Sequence, residues 1–236
     1  MKTRLLVSVR TEQEAHDALQ AGVDILDIKN PSRGSLGRPS NLLVSNIVKQ
    51  AGNIPVSMAL GEWFQAKHQP IPSGIIWAKV GLSRLTTLAD RQRANRYWFQ
   101  LQQRLHPTQM VGVVYADHVR VHGIHFDEMF RWVELARLLS AHTPVLLVDT
   151  SIKDGSSLLD WCSLRQLQRW QKLCRCHDIA LALAGSLRIH DIAVLKKEVV
   201  PDIIAVRGVV CDGNDRAQQL KKDRVLSLVQ YLREDS

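Results

Sequence analysis

The feature that most constrains this chain is a repeating pattern: apolar, β-branched runs alternate with segments of helical periodicity along almost its whole length. Strands are expected over residues 4–9, 24–29, 55–60, 75–80, 110–115, 145–149, 179–184 and 202–206. Helices are expected over 12–21, 41–50, 85–105, 127–141, 164–176, 189–197 and 216–233. The connection 61–74 carries Pro70 and Pro72 and reads as irregular or as a very short helix. Parallel strands need crossover connections, and eight βα units in 236 residues favour a closed (β/α)8 TIM barrel over an open doubly wound sheet. No linker, low-complexity tract or block of like charge divides the chain, so one domain over residues 1–236 is expected, and a 45% hydrophobic composition suffices for its core.

In such a barrel the chemistry lies where the strands end, at the C-terminal mouth. The stretch DILDIKNPSRGSLG sets the question, because Asp27 and Lys29 stand two residues apart near the end of an apolar strand. Period-2 alternation puts both side chains on one face, opposite Leu26 and Ile28. Other strand ends add Lys79 in WAKVG, Tyr115 and Asp117 in YAD, and Asp149 and Lys153 in VDTSIKDG. A single strand-end charge is most often a solvated rim residue. Several on different strands of one barrel converge on one mouth, where opposite charges need mutual pairing or a catalytic task.

An amine becomes nucleophilic near neutrality when its pKa falls from about 10.4 toward 7–8, through desolvation and neighbouring cations. Lys29, Lys79 and Lys153 are candidates to perturb one another. Such a site forms an imine with a carbonyl substrate while Asp27 and Asp149 move protons and hold the lysines. Opposite them, LAGS closes the seventh strand and VRGVV the eighth, where barrels commonly hold phosphate, so Gly185, Ser186, Arg207 and Gly208 are the expected phosphate ligands. The residues therefore point to carbon–carbon bond chemistry or dehydration on a small phosphorylated aldehyde or ketone.

The formal charge of +8 also invites a nucleic-acid reading, with Arg91, Arg93 and Arg96 close to Tyr97 and Trp98. A helix of this kind is more simply a solvated face with its aromatics turned inward, and a basic protein equally collects small phosphates, so no nucleic-acid partner is expected. His118 and His122 lie four apart beside Asp117, and Cys174-Arg175-Cys176-His177 looks like half a zinc site. Neither completes a ligand motif, and no metal is expected. Four cysteines in the last third of the chain, no signal peptide and no transmembrane run suggest a reducing cytoplasm and no membrane association.

LLVSV, AGVDILDIKNPSRGSLG, WAKVGL, VVYAD, VDTSIKDGSSLLDW, LALAGSL and VRGVVC together resemble the successive signatures of the (5-formylfuran-3-yl)methyl phosphate synthases of methanofuran biosynthesis. The resemblance spans Leu5 to about Arg216, with DIKNPSRGSLG and VDTSIKDG its most specific parts. It implies a barrel lyase that condenses two molecules of glyceraldehyde 3-phosphate with loss of phosphate and water, using no cofactor. Lys29 then matches the Schiff-base lysine, Lys79 the proton acceptor, and Asp27, Asp149 and Lys153 the supporting charges. Two segments depart from the pattern: the histidine-rich HVRVHGIHF and the end CDGNDRAQQL, which keeps Asp215 and Arg216 without a following glycine. Another imine-forming sugar-phosphate aldolase is the alternative enzyme reading. The sequence is compatible with a homo-oligomer and does not specify one.

Overall fold

The computed structural model describes residues 2–65, 70–139 and 141–234. Its strands are β1 (Arg4–Val9), β2 (Ile25–Ile28), β3 (Val56–Glu62), β4 (Trp77–Gly81), β5 (Gln109–Tyr115), β6 (Val145–Asp149), β7 (Ala180–Leu183) and β8 (Ile203–Val206). All pair in parallel in sequence order, and β8 closes on β1 with Val7 opposite Val206, so the eight strands form a closed barrel. The helices are α1 (Glu12–Gln20), α2 (Asn41–Ala51), α3 (Leu88–Arg104), α4 (His118–Val121), α5 (Phe126–Ala136), α6 (Leu164–Cys176), α7 (Ile189–Glu198) and α8 (Lys222–Arg233). The expected TIM barrel is the observed fold.

Alternation along each strand creates two cores. Val7, Leu26, Met58, Val80, Val114, Val148 and Leu181 face outward against the helices, where α5 packs on β5 so closely that a Cβ on Gly112 would collide with Val133 and Met129. Leu6, Ile25, Ala59, Trp77, Val111, Val113, Tyr115 and Leu147 fill the barrel interior. Apart from Ile203, alanines occupy the inner positions of the last two strands and their ends, Ala180, Ala182, Ala184 and Ala205. Their small side chains leave space on that side, and the cavity opens there.

Three expected helices differ by more than one residue at a boundary, and the short α4 was not expected. α3 begins at Leu88 because Thr87, three residues after the left-handed Arg84 (φ 59°), forms a reciprocal capping box with Asp90. α5 ends at Ala136 and continues as a 3-10 turn, Arg137–Leu139; Ser140, within the expected helix, lies outside the described residues. α8 begins at Lys222, not at Arg216. The intervening segment is held in a turn because the Gln218 amide donates to the Asp215 carbonyl, Leu220 bridges to Cys211, and the carbonyls of Arg216 and Gln218 accept hydrogen bonds from Arg207. Between β3 and β4 no helix lies among the described residues, and residues 66–69 of that connection are outside them.

Candidate active site

Deepest in the cavity is a buried ion pair. Asp27 points inward from β2, where the register sets Ser8 and Ser57 of the flanking strands directly beside it. Its Oδ2 accepts the Ser8 hydroxyl at 2.8 Å, and its Oδ1 accepts the Ser57 hydroxyl at 3.0 Å and Lys79 Nζ, from β4, at 2.5 Å. Burial alone would push this carboxyl up, but the charges of Lys79 and Lys29 and the hydrogen bonds outweigh it and hold Asp27 below the usual carboxylate range.

One step toward solvent sits a second pair. Lys153 Nζ, beyond β6, donates to Asp149 Oδ1 and to the Thr150 hydroxyl, both at 2.9 Å. The Thr150 amide also donates to Asp149 Oδ1, at 2.7 Å. Burial again opposes ionisation of Asp149, and Lys153 and Lys29 reverse it, so this carboxyl too is lowered. The loop carrying Lys153 is fixed by Asp117, whose oxygens accept the amides of Ser151 at 2.7 Å and Ile152 at 2.9 Å. That employment of Asp117 accounts for a strand-end acid without assigning it to chemistry.

Lys29 lies between the two pairs and belongs to neither. Asp27 is taken by Lys79 and Asp149 by Lys153, so among the described residues no carboxylate forms an ion pair with Lys29. Desolvation lowers its pKa to about 8, against the pull of Asp149 and Asp27 and with the help of Arg216 and Lys153. Asp27 is thus the neighbour of Lys29 in sequence and the partner of Lys79 in space. Arg216, half-buried above the cavity, donates to the Gly34 carbonyl at 3.1 Å and brings the loop after β8 against the loop after β2.

The cavity encloses about 720 Å³, and Asp27, Lys29, Lys79, Asp149, Lys153 and Arg216 all line it. Across it lie Gly185 (φ 109°) and Ser186 (φ 48°), a turn at the start of the loop leading into α7, whose first residues Ile189 and His190 also line the cavity. Gly185 packs against Thr150, with 3.0 Å from a built Cβ to the Thr150 amide nitrogen, so the turn after β7 is seated on the loop that carries Lys153. The positive end of the α7 dipole is therefore presented to the cavity beside Lys153 and across from the strands that carry Lys29 and Lys79. Gly208 lines the same space.

Arg207 sits differently from the phosphate ligand expected of it. Nε donates to the Arg216 carbonyl at 2.6 Å, Nη1 to the Ser8 carbonyl and Glu14 Oε2, each at 2.9 Å, and Nη2 to Glu14 Oε1 at 3.2 Å and the Gln218 carbonyl at 3.3 Å. These bonds employ all the N–H groups a guanidinium has. With Glu14 it forms a buried ion pair joining α1, β1 and the loop after β8, and no donor is left for a phosphate. The physical reason is Glu14, a buried helical carboxylate that no strand-end motif flags.

Several site residues escaped the sequence reading. Ser8 and Ser57 are inward neighbours of Asp27 that alternation within their strands could have indicated. Glu62 was not legible because β3 runs two residues past its expected end; it accepts the Tyr115 hydroxyl at 2.5 Å, and burial together with that carboxylate pushes the Tyr115 phenol well above its ordinary range. Elsewhere, Arg91 pairs with Glu128 at 3.0 Å and Arg93 with Asp90 at 2.5 Å. Cys174 is a fully buried core residue of α6, its thiol pushed by burial up to about 12.

Residues 5–229 match the family model described as 4-HFC-P synthase. The (5-formylfuran-3-yl)methyl phosphate synthase of Archaeoglobus fulgidus is 30% identical over 96% of this chain and 98% of its own length. That of Methanococcus maripaludis strain C7 is 31% identical over 98% and 99%. Among solved structures, phosphoribosylanthranilate isomerase from Thermotoga maritima superposes with a TM-score of 0.59 at 11% identity, covering 98% of this chain and 99% of that one, a likeness of fold.

Proposed function

The chain belongs to the 4-HFC-P synthase family, and we propose that it is a lyase that builds (5-formylfuran-3-yl)methyl phosphate from two molecules of glyceraldehyde 3-phosphate through an imine on Lys29. The observation that carries this reading is the placement of one unpaired lysine between two lysine–carboxylate pairs in a single cavity. With a pKa of about 8, roughly a tenth of Lys29 is neutral at pH 7, on the order of several hundred times more than for an ordinary lysine at 10.5.

In this reading the neutral Lys29 amine attacks the aldehyde carbon of one triose phosphate, and water leaves as the imine forms. Lys79 accepts the proton from the adjacent carbon, Asp27 steadies the ammonium that forms through their hydrogen bond, and phosphate departs from the resulting enamine. The second triose phosphate shifts its carbonyl from C1 to C2, and the activated three-carbon unit joins that C2 carbon, which places the phosphoryloxymethyl group at the 3-position of the furan. Asp149 and Lys153 exchange the protons of ring closure and dehydration, and the water released at imine formation is taken back when the product leaves Lys29. The net balance is one furan aldehyde phosphate, one inorganic phosphate and two waters from two triose phosphates. The Gly185–Ser186 turn and the α7 N-terminus anchor one phosphoryl group, and Arg207 is a positioning strut for the turn after β8 in place of a direct ligand. The product supplies the furan of a methanofuran-type carrier.

Incubation with glyceraldehyde 3-phosphate alone should yield a furan chromophore and inorganic phosphate. Borohydride during turnover should trap an adduct on the peptide containing Lys29, and Lys29→Ala should give neither adduct nor furan. An adduct on Lys153, with Lys29→Ala still active, would move the covalent role to the loop after β6. An adduct without furan would favour a different sugar-phosphate aldolase.

A further inference from the structure

A second cavity, of about 410 Å³, opens beside the first, and Leu36 is a wall of both. It is formed by the loops after β2, β3, β4 and β5, with Ser151 after β6, so it occupies the part of the barrel mouth away from the Gly185–Ser186 turn. Three arginines line it: Arg33, Arg84 and Arg120. Its one lining carboxylate among the described residues, Glu62, is fully employed, with Oε1 on the Tyr115 hydroxyl at 2.5 Å and Oε2 on the Ser83 amide and hydroxyl at 3.1 and 2.8 Å. Arg120 is held by Asp154 at 2.7 Å and lies over the Trp161 ring at 5.3 Å. Arg84 lies on the face of Phe64 at 4.6 Å, and among the described residues neither Arg84 nor Arg33 has a carboxylate partner.

The wall is built, not merely crowded. The Arg84 amide donates to the Val121 carbonyl at 2.8 Å and the Leu85 amide to the His122 carbonyl at 2.7 Å, which ties the loop after β4 to the loop after β5. On the barrel side, the Ser35 hydroxyl reaches the Tyr115 hydroxyl at 3.4 Å, linking the loop after β2 to the Glu62–Tyr115 pair. Guanidinium groups gathered in one concavity repel one another, and a dianionic phosphoryl group, accepting their forked N–H donors, converts that repulsion into binding.

We propose that this cavity is a second phosphoryl subsite, which holds the phosphate of the second triose while the Gly185–Ser186 turn holds the first. The inference rests on the two-triose reading given above. Two phosphate dianions brought together at one mouth repel each other, and separate cation sets on opposite sides of Leu36 satisfy both. The carbon chain of the second triose then points from Arg33 and Arg84 past Leu36 toward Lys29.

Glycerol 3-phosphate, which carries the phosphoryl group and no carbonyl, tests the subsite without chemistry. By titration calorimetry the protein should bind two equivalents, and the Arg33→Ala/Arg84→Ala double variant one. Both arginines are exposed, and an unchanged thermal unfolding transition in the double variant checks its fold; Arg33→Lys/Arg84→Lys should restore much of the second equivalent. In turnover, the double variant should need at least tenfold more glyceraldehyde 3-phosphate for half-maximal furan formation, while the concentration that saturates borohydride trapping on Lys29 stays the same. One equivalent bound by both proteins, or identical furan saturation curves, overturns the subsite and leaves the synthase reading standing. Absence of furan from the unaltered protein overturns the synthase reading, and the calorimetric count then decides the phosphoryl site by itself.

Discussion

Replacing Lys29 by methionine should stabilise the folded protein near neutral pH even as it ends imine chemistry. The magnitude follows from the cavity. Burial moves the Lys29 pKa from 10.5 to about 8, and that figure already includes the favourable pull of Asp149 and Asp27. A shift of about 2.5 units at 1.36 kcal/mol per unit makes the buried ammonium cost about 3 kcal/mol, or about 2–3 kcal/mol once solvent reaching the cavity mouth is counted. Methionine keeps most of the apolar stem and carries no charge. For a chain of this length each kcal/mol moves the melting temperature by about 2–4 °C, so a gain of roughly 4–12 °C is expected at pH 7. The pH dependence has a definite sign. Because the folded pKa is the lower one, the cost is fully present below about pH 8 and fades as the pH rises toward 10.5, where the unfolded chain also loses the proton. Melting curves of the two proteins from pH 6.5 to 10 should therefore converge at the alkaline end. A lower melting temperature for Lys29→Met at pH 7, or a constant difference across that range, would refute the desolvation argument.

Furan formation should rise about tenfold per pH unit on the acid side and level near pH 8, as Lys29 loses its proton; a rate flat from pH 6 to 8 would sink the nucleophile assignment. Asp27→Asn should cost about 3–5 kcal/mol in urea unfolding, because it leaves the buried Lys79 ammonium without its partner, and adding Lys79→Met should recover most of the loss. Asp27 itself, with its lowered folded pKa, contributes stability that is present above the unfolded-chain value and lost as acidification passes the folded one. Arg207→Ala should likewise lower stability by about 3–5 kcal/mol and be strongly non-additive with Glu14→Gln; a change confined to substrate affinity, with unchanged melting, would return Arg207 to direct phosphate contact. Gly112→Ala should cost about 1–3 kcal/mol by overpacking against Val133 and Met129, as measured in denaturant.

What the sequence by itself determined is what local periodicity encodes. Alternation of strand and helix patterns over the chain specified the barrel, and the period of two within each strand put Asp27, Lys79 and Asp149 on the interior with their apolar neighbours outside. The helix starts at Glu12, Asn41, Leu164 and Ile189 were legible, whereas that of α3 was misplaced because caps such as Thr87 with Asp90 are local but compete with nearby turns. Which charge answers which was decided by the closed barrel alone. Asp27 pairs with Lys79 across 52 residues of chain and leaves Lys29, two positions away, without a carboxylate of its own. Arg207 is drawn off to Glu14 across 193 residues, and Glu62 meets Tyr115 across 53. Such choices depend on distances of a few ångströms in a poorly solvated interior, where an unpaired charge is costly and each ion takes the nearest partner the closed sheet offers. Sequence spacing can place a residue on a face, but only closure of the barrel fixes which of several opposite charges on that face stands within reach.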